Sequence, residues 1–171
     1  MLVSIAERRW VMVQAVRDAA FRELLRREPR AALRQVTGRD VRAARIEVIE
    51  EQPTAWEFVI PADLSGQVLP QAFDERTAIE NRVFALLQSE PETIAAICRA
   101  PARFLVDRLG IDPGRVGVNV RREDAGQVLL ILTQGVEVEE LDDELLDLVS
   151  AGGSPACNPP VGMDQSQAVR T

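Results

Sequence analysis

Apolar positions in the first part of the chain recur at helical spacing. Trp10, Val13, Val16, Ala20 and Leu24 mark a long helix over 6–27. Pro29 fits the first position of a second, short helix running to about Val36 and stopped by Gly38. The period then changes. Strand-like runs at 46–49 and 56–60 flank a turn at Glu51-Gln52-Pro53-Thr54, and Pro61 closes the second run. The pattern predicts a helix–helix–hairpin unit.

The same order returns further on. A helix is predicted over 74–89, a second from Pro91 to Arg99, more helix over 102–109, and strands at 116–120 and 128–132. At an offset of 62, Leu24-Leu25 meets Leu86-Leu87 and Glu28-Pro29 meets Glu90-Pro91. At an offset of 72, Ile46 meets Val118 and Trp56 to Ile60 meet Val128 to Leu132, with ten extra residues around 101–110 making up the difference. One such unit is too small to bury much of a core. The expected fold is therefore α+β, two copies packed as one four-stranded antiparallel sheet with helices on a face. The chain divides into a first unit at 1–62, a linker at 63–72 and a degenerate second unit at 73–136. Residues 137–153 follow as an amphipathic helix ending in two glycines, and 154–171 as a tail.

That join reads L-D-D-E-L-L-D-L-V-S-A-G-G-S. Leu141, Leu145 and Leu148 share a helical face, with Asp142, Asp143 and Asp147 beside them. Gly152 and Gly153 then stop the helix and offer a backbone without Cβ atoms, which a peptidase with narrow subsites can thread. In the tail, Pro155, Pro159 and Pro160 block helix and central strand, and Val161, Met163 and Val169 are too sparse for a core. A disordered tail is expected.

Composition narrows the chemistry. The net charge of −7 argues against a nucleic-acid partner, and no run approaches the roughly 20 apolar residues of a membrane span, so no membrane insertion is expected. There is no basic region before an apolar stretch that would mark a Sec-type signal. All twenty basic residues are arginine, concentrated in 8–45, whereas 137–147 is acidic without a base. The chain has no histidine, so the commonest general base and metal ligand is missing. Cys98 and Cys157 stand far apart without such partners, which disfavours a metal site; no cofactor and no catalytic residue are expected. Cys98, in an apolar run, is expected to be buried.

The residues Asp18, Phe21-Arg22, Leu25, Pro29, Ala31-Ala32-Leu33, Glu50-Glu51 and a hydrophobic strand ending in Pro61 resemble the nitrile-hydratase-like leader peptide (NHLP) family. The resemblance covers about 10–62, extends in degenerate form over the second copy, and resumes at 141–153. Members are precursors of ribosomally synthesised, post-translationally modified peptides (RiPPs), proteusin-type among them. Their leaders resemble the α subunit of nitrile hydratase without its metal site. The Cys-x-x-Cys-Ser-Cys cluster of the hydratase is absent from this chain.

The resemblance implies a bacterial, non-enzymatic precursor held in the cytoplasm. Its leader recruits maturation enzymes, and a double-glycine cysteine peptidase with its ABC transporter cuts and exports a bacteriocin-like core peptide. Cleavage then falls among Ala151, Gly152, Gly153 and Ser154. A cut after Gly152 places Val149, Leu146 and Leu141 at the fourth, seventh and twelfth positions before it, an apolar spacing that suits such peptidases; the glycine pair favours Gly153. Leu141, Leu145, Leu146 and Val149 are the recognition candidates. Cys157, Ser154, Ser166 and Thr171 are the modification candidates, Cys157 as the strong nucleophile, by thioether or azole formation. Trp10, Val13 and Phe21 are available for docking through a helix face, although core packing is their plainer role, and Trp56 and Phe58 are read the same way. The alternative reading is a non-catalytic carrier or adapter of the same fold that binds a partner.

Overall fold

The computed structural model describes residues 2–133. The long first helix forms in two pieces, α1 (Ile5–Arg17) and α2 (Ala19–Arg27). Ser4 starts α1 with a capping box: its Oγ accepts the Glu7 N–H at 3.1 Å and its own N–H donates to Glu7 Oε2 at 2.7 Å. Asp18 then breaks the run. Its backbone is extended and its carboxylate accepts the N–H groups of Ala20 and Phe21, so a new helix begins there. Helix α3 (Pro29–Thr37) opens on proline and ends at Gly38, whose φ of 67° is one that side chains with a Cβ rarely adopt. Strands β1 (Arg45–Glu50) and β2 (Ala55–Ile60) follow.

The second half repeats the order. Helix α4 (Glu75–Ser89) is continuous, capped by Asp74; a short 3₁₀ turn at Pro91–Thr93 leads into α5 (Ile94–Arg99). Helix α6 (Pro101–Phe104) widens into a π turn at Leu105–Leu109 and stops at Gly110, φ 65°. Strands β3 (Gly117–Arg122) and β4 (Gln127–Leu132) complete the described chain. The strands stand at the offset of 72 read from the sequence, as do Gly38 and Gly110.

The strand pairing differs from the expected antiparallel sheet. β1 pairs in parallel with β4, and β2 in parallel with β3, giving two separate two-stranded sheets. Each neighbouring pair of strands thus finds its ladder partners in the other half. The arrangement is reciprocal: Glu51 N–H donates to Leu132 O at 3.0 Å, and its counterpart Glu123 N–H donates to Ile60 O at 3.0 Å. The physical reason lies in the composition of β4 and β2. Val128 to Leu132 are all buried, as are Glu57 to Ile60, so both strands need cover on both faces. One sheet with helices on one side would leave half of that surface wet.

Two stacked sheets between two helical layers solve this. Val128, Leu130 and Leu132 face the first helical layer with Phe21, Leu25 and Leu33. Phe58 and Ile60 face the second with Val83, Phe84, Leu87 and Leu105. The alternate residues Ile49, Val59, Leu129 and Ile131 meet between the sheets. The fold is α+β, and duplicated.

Candidate functional site

The buried charges sit where the two halves interlock. Glu51 and Glu123, one residue past β1 and β3, are 6% and 5% exposed. Each carboxylate accepts the backbone N–H six residues on, Glu57 at 3.2 Å and Leu129 at 2.6 Å. Each also meets an arginine from the opposite half. Arg76 Nε donates to Glu51 Oε1 at 2.8 Å while its Nη2 donates to Glu57 O at 2.5 Å. Arg8 grips Glu123 with Nη1 at 2.7 Å and Nη2 at 3.0 Å, and Nη1 also donates to Leu129 O at 2.7 Å. Glu57 and Leu129 are themselves equivalent positions, so the glutamate half of the clamp is repeated, while the arginines that close it, Arg8 and Arg76, come from non-equivalent positions.

A third pair has no counterpart. Arg9, 1% exposed, donates to Glu80 Oε2 at 2.7 Å, Asn81 Oδ1 at 3.0 Å, and the carbonyls of Pro70 and Gln71 at 3.1 and 3.2 Å. The segment expected to be a linker is therefore tied down. Gln67 Oε1 accepts the Ile5 N–H at 2.8 Å, and Gln88 Nε2 donates to the carbonyls of Leu64 and Gln67. Removing one member of such a buried pair strands the other in a poorly solvated place, at about 3–5 kcal/mol. Burial holds the Glu51 carboxyl above its ordinary value; the Arg76 guanidinium and the Glu57 N–H oppose that rise, and Glu80 adds to it. Glu51 Oε2 and Arg76 Nη1 are buried without a hydrogen-bond partner.

The carboxylates are thus engaged in joining elements, and among the described residues no three of Cys, Asp and Glu come together as metal ligands would. The other feature of note is at the surface. β4 delivers the chain to Thr133, whose carbonyl accepts from Arg22 of α2 at 2.7 Å. Arg22 Nε and Thr133 Oγ1 are buried there without a hydrogen-bond partner. Arg26 and Arg27 continue along α2 and Arg30 and Arg34 along α3. An open cleft lies beyond, lined by Glu28, Pro29, Arg30, Ala31, Arg34 and Ile46.

The cleavage candidates Ala151, Gly152, Gly153 and Ser154 lie outside the described residues. So do Leu141, Leu145, Leu146 and Val149, and the modification candidates Cys157, Ser166 and Thr171. Of the helical docking candidates, Val13 and Phe21 are buried in the core, while Trp10 is partly exposed. Phe58 is fully buried and Trp56 partly so, their rings tilted by 51° with centres 6.4 Å apart. Cys98 is exposed, against expectation. Helix α5 has six residues and buries Ile97, and the next position is turned about 100° away from that face. Sequence reasoning passed over Arg8, Arg9, Arg76, Glu80 and Glu123. Glu51 carried one signal, since a second glutamate stands 72 residues on at the same place in the other copy.

No family model matches the chain, and none of the curated proteins matches it. Among solved structures it is similar to one described as recombinant thiocyanate hydrolase comprising partially-modified cobalt centers. The two are 14% identical with a TM-score of 0.47, over 97% of this chain and 83% of that one.

Proposed function

We propose that the chain is the precursor of a ribosomally synthesised, modified peptide: residues 154–171 are the substrate, and the duplicated α+β body is the handle by which maturation enzymes hold it. The observation that carries this reading is the order of parts beyond β4. After Thr133, held by Arg22, come the acidic leucine-bearing segment, the small pair Gly152-Gly153 and a short peptide with Cys157. A partner bound to α2 would sit beside Thr133, the last described residue of the body. Tethering then presents the peptide to an active site at an effective concentration of roughly millimolar, so its own sequence need not be bound tightly. The buried ion pairs support the same reading, because Arg8, Arg9 and Arg76 with Glu123, Glu80 and Glu51 join elements of a scaffold.

The handle is non-catalytic in this reading. Cleavage after Gly152 or Gly153, by a double-glycine cysteine peptidase coupled to an ABC transporter, would release the product for export. The test is co-expression with the modifying enzymes encoded beside it, followed by mass spectrometry. The expected result is a changed mass confined to 154–171, at Cys157, Ser154, Ser166 or Thr171, and a released fragment beginning at Gly153 or Ser154. An unchanged mass with every neighbouring enzyme, together with partner binding that survives deletion of 154–171, would favour the carrier or adapter reading instead.

A further inference from the structure

Each two-stranded sheet has two outer edges, and the chain treats them differently. In β4 and β2, backbone groups that point away from the ladder are taken by the clamps. The Leu129 N–H and carbonyl go to Glu123 and Arg8, at 2.6 and 2.7 Å. The Glu57 N–H and carbonyl go to Glu51 and Arg76, at 3.2 and 2.5 Å. At both positions a glutamate and an arginine stand in for a neighbouring strand. The outer edge of β1 has no such cover among the described residues. Arg45 and Glu51 donate to β4 through the Gly126 and Leu132 carbonyls, so the alternate residues Ile46, Val48 and Glu50 turn their backbone groups outward. Among the described residues none of those groups has a hydrogen-bond partner. Beside this edge lies the open cleft at the start of α3, about 390 Å³, with Pro29, Ala31 and Ile46 in its lining.

We propose that the outer edge of β1 is a strand-addition site, taken by an extended segment of a partner protein with apolar residues at alternate positions. The backbone sets the class of partner. Ile46, Val48 and Glu50 present a row of donors and acceptors at the two-residue repeat of a strand. Another extended backbone matches that row, whereas a helix spends its own groups internally. The cleft sets the side chains. A strand laid beside β1 would aim alternate residues toward Pro29, Ala31 and Ile46, where apolar groups fit. A second copy of the chain fits less well. Two-fold pairing through this edge would bring α3 beside α3 and oppose Arg30 and Arg34 to their own equivalents. The site goes beyond the precursor reading, because a precursor's handle and an adapter could use the same edge.

The experiment uses the full chain in two steps. Amide hydrogen exchange of the free protein should find Ile46, Val48 and Glu50 fast, and Glu47 and Ile49 slow. Slow exchange at all five would show that the edge is already covered, and would overturn the proposal. Displayed seven-residue peptides are then selected against the chain, and the binders are measured on variants. Glu50→Pro removes one outward donor, keeps the ladder to β4, and loses only an exposed pair with Arg26. Arg122→Pro makes the same change at the equivalent position of β3. Binders should be about ten-fold weaker on Glu50→Pro, the loss of one backbone hydrogen bond, and unchanged on Arg122→Pro. Ala31→Phe fills the cleft without touching the strand and should weaken them as well, which keeps the test sound if Glu50→Pro fails to fold. A selection without binders, or binders indifferent to both Glu50→Pro and Ala31→Phe, would overturn the proposal. So would self-association of the free chain that these variants abolish, which would make a second copy the occupant.

Discussion

Arginine is usually a surface residue, and Arg9 shows what it takes to bury one. Five donors in a planar fork need several acceptors at fixed places, and Glu80, Asn81 and two carbonyls of the connecting segment supply them. Arg9→Ala should destabilise the fold by about 3–5 kcal/mol, because Glu80 is left buried and unpaired. Arg9→Met combined with Glu80→Leu should recover much of that loss, as measured by urea unfolding. A double variant no better than the single one would mean that the carbonyl contacts, and not the ion pair, dominate. Sequence reading could not find Arg9. Its neighbours Arg8 and Trp10 flank it on a helix of mixed pattern, and what buries it is a segment some 61 residues away.

Glu51 gives a pH dependence opposite to that of most paired carboxylates. Its folded value is raised because burial outweighs the help from Arg76, so its protonated form fits the fold better than its charged form. The unfolded chain binds fewer protons at this site than the folded chain does. Stability from Glu51 is therefore fully present below the ordinary value of 4.5 and is lost as pH rises through the raised folded value. Glu51→Gln has no such titration. The stability of wild type minus that of Glu51→Gln should fall in urea titrations as pH rises above the ordinary value of 4.5 and level off once the folded carboxyl has ionised. A difference that grows with pH would show that the Arg76 interaction wins after all.

At the scale of elements, the helices and strands were legible and their partners were not. Proline at first positions and glycine at last ones marked both copies, and the shift of offset from 62 to 72 reappears in the α6 insertion and its π turn. Two departures have physical causes, one local and one not. Asp18 sits inside an otherwise helical run, yet it is among the better N-caps, and capping α2 proved better than continuing α1. The strand pairing is long-range. A tight connection between two apolar runs suggests a hairpin, but runs buried at every position, such as Val128 to Leu132, were the sign of a strand covered on both sides.

The duplicated caps yield a paired prediction. Gly38 and Gly110 hold φ values of 67° and 65° with open space where a Cβ would stand. Substitution at either meets backbone strain and no clash. Gly38→Ala and Gly110→Ala should each cost about 1 kcal/mol in chemical unfolding. Equal costs at two positions 72 residues apart would show that the copies end their helices in energetically equivalent ways. A near-zero cost at Gly110 would mean that the π turn before it relaxes to absorb the strain.

At the scale of the whole molecule, the exchange of strands decides how the protein comes apart. The first helical layer rests on a sheet that includes β4, and the second rests on a sheet that includes β2. Neither half keeps a complete sheet if the other unfolds, and both arginine–glutamate clamps, each with one member in either half, are broken as well. Two independently folded units joined by a linker would open separately; interlocked ones cannot. Hydrogen exchange in rising urea should then report one opening for the ladder amides of β1, β2, β3 and β4. Their free energies should agree within about 1 kcal/mol and share one dependence on denaturant. If the β2–β3 amides exchanged through a distinctly cheaper opening than those of β1–β4, the halves would be separable. The interlock would then be a matter of topology alone, without the cooperativity that its shared cores imply.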